Sequence, residues 1–319
     1  MSASDVAITR KVTVDRALRG RRIDVAGIVF QSALLLCLLA CLFFIIVLVG
    51  TVINDGWPTI QERGWSFFTS DLSRIPDRAG VAQAIFGSAA LAMIVVIVSF
   101  PLGIATAVYL EEYARDNLGT RFVRLNIRNL AGVPSVVYGL LGLAVFVQLL
   151  GTNRGENGGL TGGRTIISGG LTLAILVLPI VIITASEALR AVPQSLREGG
   201  YGVGATKWEV TRRLVLPNAL AGILTGTVLS LARALGETAP LILVGAFYGT
   251  FFTTGSAGFF EKFDTTYTAL PMVVFQWATD AKKEFSTELA GAAIIVLLAV
   301  TLLANLAAVL LRNRYEKRW

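Results

Sequence analysis

Long apolar runs alternate with polar segments along most of the chain. A transmembrane helix needs roughly 20 mostly apolar residues, and six runs reach that length, so the pattern predicts six transmembrane helices. A further run, residues 268–278 around Pro271, is too short to span and is typical of a re-entrant or interfacial piece. The predicted helices cover residues 25–54, 79–110, 129–153, 165–186, 214–248 and 289–311.

The polar segments divide the chain into regions. Residues 1–24 form a basic N-terminal segment, residues 79–311 a core of five helices, and residues 312–319 a polar tail. Residues 249–287 are a long connection on the opposite side. The apolar run 25–54 is much longer than the ~7–15 residues of a signal-peptide core. We therefore expect it to remain as an uncleaved first span.

The composition supports an all-α polytopic membrane protein. Hydrophobic residues make up 54% of the chain and charged residues 15%, whereas about a quarter of the residues are charged in soluble domains. The chain has no histidine, which is the commonest metal ligand and general base. Both cysteines lie in one apolar run, where we interpret them as packing residues. No catalytic site, metal site or disulfide framework is predicted.

Lysine and arginine are distributed unevenly between the two sets of loops. Segments 1–24, 111–128, 187–213 and 312–319 carry 19 of them, and the segments on the other side carry eight. Because basic loops stay in the cytoplasm, both termini and the 187–213 segment are predicted to be cytoplasmic. Topology thus explains the net charge of +7 better than nucleic-acid binding does.

The polar loop Glu187–Pro217 is longer than a connection between helices requires. Ser195-Leu-Arg-Glu198 and Thr206-Lys-Trp-Glu209 both match a capping box, in which a hydroxyl and a carboxylate bind exposed amides at a helix start. The pattern predicts two short helices joined at a glycine corner; an ordinary solvated loop is the alternative. The glycines between the two boxes are Gly199, Gly200, Gly202 and Gly204.

Two charged residues interrupt the fifth apolar run. Arg233 and Glu237 stand four residues apart, so they share a helix face and can pair. A charge at the membrane centre costs roughly 3 kcal/mol on insertion scales, and such residues normally face a bundle interior or a water-filled path. They form either a structural ion pair or a substrate-path site, where Arg233 offers a bidentate donor to an oxyanion. Thr238 and Pro240 are expected to leave the helix bent or open there.

Other polar and small residues have two interpretations each. Ser135 and Tyr138 offer hydroxyls at the start of the third helix, where packing is at least as good an explanation as ligand binding. Glu187 and Arg190 are interpreted as a local ion pair at the end of the fourth helix. The GxxxG motif at 222–226 allows close helix approach and is predicted to pack against a neighbour within the bundle.

Four stretches together carry a family resemblance. In the polar loop, Glu198, then Gly204, then Leu214-Val-Leu-Pro217 is similar to the EAA loop of ABC importer permeases, with Gly199 and Gly200 in place of its two alanines. All four stretches together resemble the phosphate ABC transporter permeases of the PstA type. The matching stretches are Pro101–Tyr113, Gly132–Leu140, Leu196–Ala205 and Ala232–Pro240.

This resemblance implies a MetI-like bundle that serves an ATP-driven importer of inorganic phosphate in a bacterial or archaeal plasma membrane. It implies a PstC-like sister permease, a PstB-like ATPase dimer that binds ATP and magnesium, and an extracytoplasmic phosphate-binding protein. The substrate-path candidates are Arg233, Glu237, Thr238, Ser135 and Tyr138. The candidates for coupling to the ATPase are Ser195, Glu198, Gly199, Gly200, Gly204, Thr206, Glu209 and Pro217.

Other functions are the alternatives to this interpretation. They are the sister PstC-type permease, a permease for molybdate, tungstate or sulfate, an ion-coupled secondary transporter and a membrane enzyme. A secondary transporter would need inverted repeats, and the sequence has no evident repeat. The chain contains no Gly-Lys dipeptide and therefore no P-loop. We expect ATP hydrolysis to be carried out by a separate subunit and no cofactor to be bound by this chain.

Overall fold

The computed structural model describes residues 25–151, 161, 163–246 and 267–315, and every regular element in these ranges is helical. The chain divides into two units, Met1–Thr51 and Val52–Trp319, and the packing below concerns the second.

The α-helices are α1 (Val25–Arg63), α2 (Trp65–Thr69), α3 (Ala82–Val108), α4 (Leu118–Ala131), α5 (Ser135–Gly142), α6 (Ile166–Arg190), α7 (Gln194–Gly202), α8 (Lys207–Val210), α9 (Leu216–Gly236), α10 (Ala239–Val244), α11 (Leu270–Ala278) and α12 (Ala290–Tyr315). Wider π-helical turns occupy Tyr109–Tyr113, Leu143–Leu149, Thr211–Val215 and Glu284–Leu289, and a 3-10 turn occupies Pro76–Arg78.

The described helices agree with the predicted all-α bundle. Five helical stretches are long and apolar enough to cross a membrane, and the pair α4–α5 makes a sixth if it is one span. Several helices run beyond the apolar runs: α1 ends at Arg63, α6 at Arg190 and α12 at Tyr315. An apolar run shows where a helix meets hydrocarbon, whereas the helix itself continues wherever its backbone hydrogen bonds continue.

The predicted third helix, residues 129–153, is wrong as a single straight span. The segments Leu118–Ala131 and Ser135–Leu149 meet at an angle of 100°. Pro134 lies at the break, where its ring and missing amide prevent the helix from continuing. The first segment begins earlier than predicted because the Asn117 side chain accepts a hydrogen bond of 2.8 Å from the Thr120 amide.

The predicted fifth helix, residues 214–248, is also interrupted. Helix α9 ends at Gly236, Glu237 is extended, and α10 begins two residues later with Pro240 in its first turn. The opening that Thr238 and Pro240 predicted is therefore present. Helix α10 ends at Val244 and is capped by Gly245, whose φ of 101° is a left-handed conformation that favours glycine. Residues 247 and 248 lie outside the described ranges.

The short apolar run 268–278 forms α11, which at nine residues is too short to span. Its first amide, that of Leu270, donates a 2.8 Å hydrogen bond to the Ser88 hydroxyl on α3. The side chain of Trp277 is fully buried beside Phe67 and Phe285. This element is thus anchored at both its ends within the second unit.

Helix α3 passes through three successive groups of buried apolar residues. Ala84 belongs to the group around Trp277, Leu91 to a central group that includes Tyr138 and Leu241, and Ala107 to a third group. The third group also contains side chains from α6, α9 and the polar loop: Ala185, Leu189, Val192, Val210, Val215 and Ile223. The polar loop is therefore packed into the end of the bundle, and not only tethered to it.

The GxxxG motif packs within the bundle, as predicted. A Cβ atom added at Gly222 would lie 2.7 Å from the Ala188 Cβ atom on α6, and one added at Gly226 would overlap the Thr184 side chain. Real Cβ atoms do not approach so closely, so these glycines let the backbones of α9 and α6 come together. The motif therefore joins the span that follows the polar loop to the span that precedes it.

We predict that Gly226→Val separates α6 from α9 and lowers the free energy of unfolding by about 2 kcal/mol, because overpacking a close contact strains its surroundings. Denaturant unfolding of the purified chain in detergent measures the change. Gly199→Ala is the matched control: nothing lies within 4 Å of an added Cβ atom there. Equal stability of Gly226→Val and the unmodified protein would contradict the packing role.

Candidate functional site

Arg233 and Glu237 form an ion pair at the break between α9 and α10. The Arg233 Nε atom donates to the Glu237 Oε1 atom over 3.2 Å. The Arg233 side chain is 50% exposed and that of Glu237 18% exposed. This bond uses the Nε atom alone, and within the described residues the other guanidinium N–H groups of Arg233 make no hydrogen bond. The pair therefore holds the Arg233 guanidinium, a group that can bind anions, at the surface of the chain.

The break itself is packed against the helix that follows the 100° bend. A Cβ atom added at Gly139 would lie 2.7 Å from the Pro240 Cα atom, so this glycine lets α5 approach the start of α10. Thr238 is half-buried between the two helical segments. An interrupted helix leaves backbone N–H and C=O groups without intrahelical partners. Thr238 and the charged pair therefore lie at a local polar gap in an apolar span.

Tyr138 has a structural position. Its ring belongs to the central buried group, and its hydroxyl donates a 2.8 Å hydrogen bond to the Leu130 carbonyl across the α4–α5 bend. This contact stabilises the bend and supports the packing interpretation of Tyr138. Ser135 is the first residue of α5 and is half-buried. The structure brings Tyr138 into the same buried group as Ala234, next to Arg233 in sequence. Within the described residues, Ser135 makes no hydrogen bond to Arg233 or Glu237.

The polar loop folds into the two predicted short helices, α7 and α8, but only one predicted capping box is present. The Thr206 amide donates to the Glu209 carboxylate over 2.9 Å, and the Glu209 amide donates to the Thr206 hydroxyl over 3.4 Å. The Ser195 box is wrong, because α7 begins at Gln194, with Pro193 as its N-cap, and this places Ser195 inside the helix. A proline before the first turn already fixes the chain direction there.

The glycines of the polar loop have different positions from those predicted. Gly199 and Gly200 lie inside α7 instead of forming the corner. A Cβ atom at Gly200 would lie 2.8 Å from a Val210 methyl group, so this glycine lets α7 pack on α8. Gly204 forms the corner, with a φ of 81° that favours glycine. Pro217 starts the apolar span in the first turn of α9.

One face of the polar loop is exposed. Glu198 and Ser195 are exposed on α7, and Val203, at the corner, is 85% exposed. Tyr201 and Trp208 are further exposed large side chains. Aromatic side chains of this size are enriched where protein surfaces bind one another. The loop therefore has a buried face toward the bundle and an exposed face of mixed polar and apolar character.

The structure also shows a cluster of charges that the sequence patterns did not identify. The π-helical turn after α3 carries two adjacent glutamates. The Glu111 carboxylate accepts two hydrogen bonds of 2.8 and 2.9 Å from Arg190, at the end of α6. Arg124 of α4 is 3.7 Å from the same carboxylate. The predicted local pair of Glu187 and Arg190 is therefore wrong, because Arg190 binds Glu111 instead.

The second glutamate, Glu112, accepts a 2.8 Å hydrogen bond from Arg197 on α7. Arg197 also donates to the carbonyl oxygens of Val192 and Leu189, over 2.7 and 2.9 Å. The two charged side chains are 12% and 5% exposed. The available signal for this cluster was the Glu-Glu pair directly after an apolar run, together with arginines at the ends of neighbouring helices.

A metal centre finds no support in the described residues. Within them, no group of three or more histidine, cysteine, aspartate or glutamate side chains is close enough to hold a metal ion. The charged groups that lie close together are pairs of an arginine and a carboxylate. The arginine of such a pair can bind its carboxylate partner or another anion.

The sequence was compared with known proteins. Residues 99–319 match the family described as "Binding-protein-dependent transport system inner membrane component". The "Phosphate transport system permease protein PstA 1" of Mycobacterium tuberculosis is 30% identical over 96% of this chain and 92% of its own length. The "Phosphate transport system permease protein PstC" of Mesorhizobium japonicum is 33% identical over 64% of this chain and 68% of its own length.

A solved structure supports the fold. A subunit of a bacterial ABC transporter "involved in the import of the acidic polysaccharide alginate" superposes with a TM-score of 0.63 at 16% identity, over 92% of this chain and 98% of its own. At this identity the likeness concerns the fold alone. The resemblance to PstA-type permeases is confirmed by a relative that aligns along nearly the whole chain. The chain is a multi-pass membrane protein, and it belongs to the family of binding-protein-dependent transport system inner membrane components.

Proposed function

We propose that this chain forms half of the translocation path of an ATP-driven importer of inorganic phosphate. The observation that carries the proposal is the half-exposed Arg233, held by Glu237 at a break in the span that directly follows the polar loop. The names of the relatives support phosphate as the substrate. Both termini and the polar loop lie in the cytoplasm in this proposal, as the distribution of lysine and arginine predicts.

Arg233 has the chemistry that an oxyanion path requires. A planar guanidinium binds two oxygen atoms of a phosphate at once, and its free edge is available for this contact. Glu237 holds the arginine in position and lowers the cost of its charge in an apolar span. A passing anion displaces the Glu237 carboxylate from Arg233, and the carboxylate returns when the anion leaves. Arg233 therefore has a negatively charged partner throughout. Because Arg233 lies at the surface of this chain, a sister permease completes the path around it.

The polar loop supplies the contact with the energy source. Its exposed face, with Glu198 and Val203, is the surface that we propose to dock on a separate ATPase subunit. That subunit binds ATP and magnesium and closes on ATP binding, and an extracytoplasmic binding protein delivers phosphate on the opposite side. The movement reaches Arg233 because Pro217 joins the loop directly to α9.

The sister permease is the closest alternative role. The PstC relative is similar in identity but aligns along less of the chain than the PstA relative does, which favours the PstA role. A permease for another oxyanion would use the same arginine chemistry, so the choice of anion depends on uptake measurements.

We predict that Arg233→Gln lowers phosphate uptake by at least about tenfold, because it removes an interaction between charges that is worth roughly 1.5–3 kcal/mol. Uptake of radiolabelled phosphate into cells or proteoliposomes measures it, and competition by molybdate, tungstate and sulfate identifies the preferred anion. Arg121→Gln is the control, since Arg121 of α4 forms an exposed ion pair with Asp116. Normal uptake by Arg233→Gln at normal expression would reduce Arg233 to a structural residue.

We predict that Gly204→Ala lowers the phosphate imported per ATP hydrolysed by roughly fivefold, because an alanine in the left-handed region costs about 1–2 kcal/mol and shifts the exposed corner. Parallel assays of uptake and ATP hydrolysis give this ratio. Gly202→Ala is the matched control: both positions have open space for a Cβ atom, and only Gly204 has a positive φ. Equal ratios in the two variants would contradict the docking role of this corner.

A further inference from the structure

Arg197 is the only charged side chain of α7 that turns inward; Glu198, the other one, is exposed. Its guanidinium makes three hydrogen bonds, one to the Glu112 carboxylate and two to the carbonyl oxygens of Leu189 and Val192. Those two carbonyls belong to the end of α6 and to the connection that follows it. Arg197 therefore joins α7 to α6 and to the turn after α3 at one point.

The isolated sequence of α7 is a poor helix. Three of its nine residues are glycines, namely Gly199, Gly200 and Gly202, and each costs up to about 1 kcal/mol relative to alanine in a helix interior. A helix this short is marginal in water even with favourable residues. The position and order of α7 must therefore come from its contacts with the rest of the chain.

Burial makes the Glu112–Arg197 pair hard to break. Both side chains are largely excluded from solvent, so separating them would leave two desolvated charges without partners. The pair of Asp116 and Arg121 is the contrast: its side chains are 66% and 67% exposed. The Arg121 guanidinium holds the pKa of the Asp116 carboxyl below its usual range, but solvent and salt screen this exposed pair.

The same turn contacts the other elements at this end of the bundle. Glu111 binds Arg190 of α6, and the Lys207 ammonium group at the start of α8 lies 5.3 Å from the centre of the Tyr113 ring. Three neighbouring side chains of one π-helical turn thus contact α6, α7 and α8. Because the turn continues directly from α3, these contacts connect α7 to α3.

We propose that Glu112 is a positioning residue for α7: through Arg197 it fixes the docking helix on the end of α3, so that ATP-driven movement reaches α3 as well as α9. This inference rests on the proposed function, because it assigns α7 as the element that docks on the ATPase. It adds a second route of coupling, through side chains that are 85 residues apart in sequence.

Glu112→Gln tests this inference in the complete transporter reconstituted in lipid. The variant keeps the shape of the side chain and removes its charge. The amide oxygen of Gln can still accept from Arg197, but without the negative charge the hydrogen bond is weaker. We expect amide hydrogen exchange in Gln194–Gly202 to rise by about tenfold, which corresponds to a loss of about 1.4 kcal/mol, while exchange in α9 stays unchanged. We also expect the phosphate imported per ATP hydrolysed to fall by about tenfold, because α7 no longer moves with α3.

A double-variant cycle separates positioning from general damage. If Glu112 acts through Arg197, then Glu112→Gln combined with Arg197→Gln lowers the ratio no further than the worse single variant does. Additive losses would overturn the inference. Asp116→Asn is the matched control, because it removes a carboxylate from the exposed pair a few residues away and should leave both readouts unchanged.

Two other results would also overturn the inference: unchanged exchange in α7, or raised exchange with an unchanged ratio of import to hydrolysis. If Glu112→Gln does not assemble, Glu112→Asp, which keeps the charge and shortens the reach, is measured in the same way. Failure of the proposed function is distinguishable. If the wild-type transporter imports an oxyanion other than phosphate, the proposed function fails, but the ratio of import to hydrolysis can still be measured with that anion. The hydrogen-exchange measurement needs no substrate, so it tests the inference whichever anion is transported.

Discussion

A charged group that leaves water must keep a partner, and this constraint determines how the end of the bundle is built. The side chains of Glu111 and Glu112 are only 9% and 5% exposed, and each is paired with an arginine from another element. Arg190 brings the end of α6 to the turn, and Arg197 brings α7. Because separating either pair leaves a desolvated charge, these elements are held as one assembly. The position of the polar loop, and therefore of the exposed face that we propose to dock on the ATPase, depends on these ion pairs.

The Arg233–Glu237 pair at the α9–α10 break also keeps a charged group with a partner, but its arginine is more exposed to solvent. Arg233 is half-exposed and uses one edge of its guanidinium for Glu237, whereas Arg197 has all of its contacts inside the protein. A buried arginine with three partners in the protein suits the transmission of force, and a half-exposed arginine with one partner suits the binding of a passing anion. The close contacts of Gly222 and Gly226 with α6 connect these two regions along α9. The proposed docking surface, the contact with α6 and the proposed anion-binding arginine thus lie in order along one continuous stretch of chain.

Local and apolar features were predictable from the sequence, and contacts between distant residues were not. The long apolar runs, the GxxxG contact, the opening near Pro240 and the Thr206 capping box depend on neighbouring residues. The Arg190–Glu111 contact joins residues 79 apart, so spacing favoured the nearer Glu187. Helix α4 was missed because it lies in a polar segment, although Leu118, Phe122 and Leu125 recur at helical spacing. Ser195 failed as a cap because the helix begins at Gln194, with Pro193 as its N-cap two residues before Ser195.

The central claim is that the polar loop and α9 move as one body when ATP binds. The most direct measurement is the distance between spin labels at Val203 and Leu229, both exposed, with Cys37 and Cys41 replaced by serine. The distance is measured in the reconstituted transporter with and without bound ATP. The account predicts a narrow distribution that shifts by less than about 2 Å, the range of motion in a pre-organised contact, while the Leu229 label moves relative to a label on the sister permease. A larger shift between Val203 and Leu229, with Leu229 stationary, would contradict it.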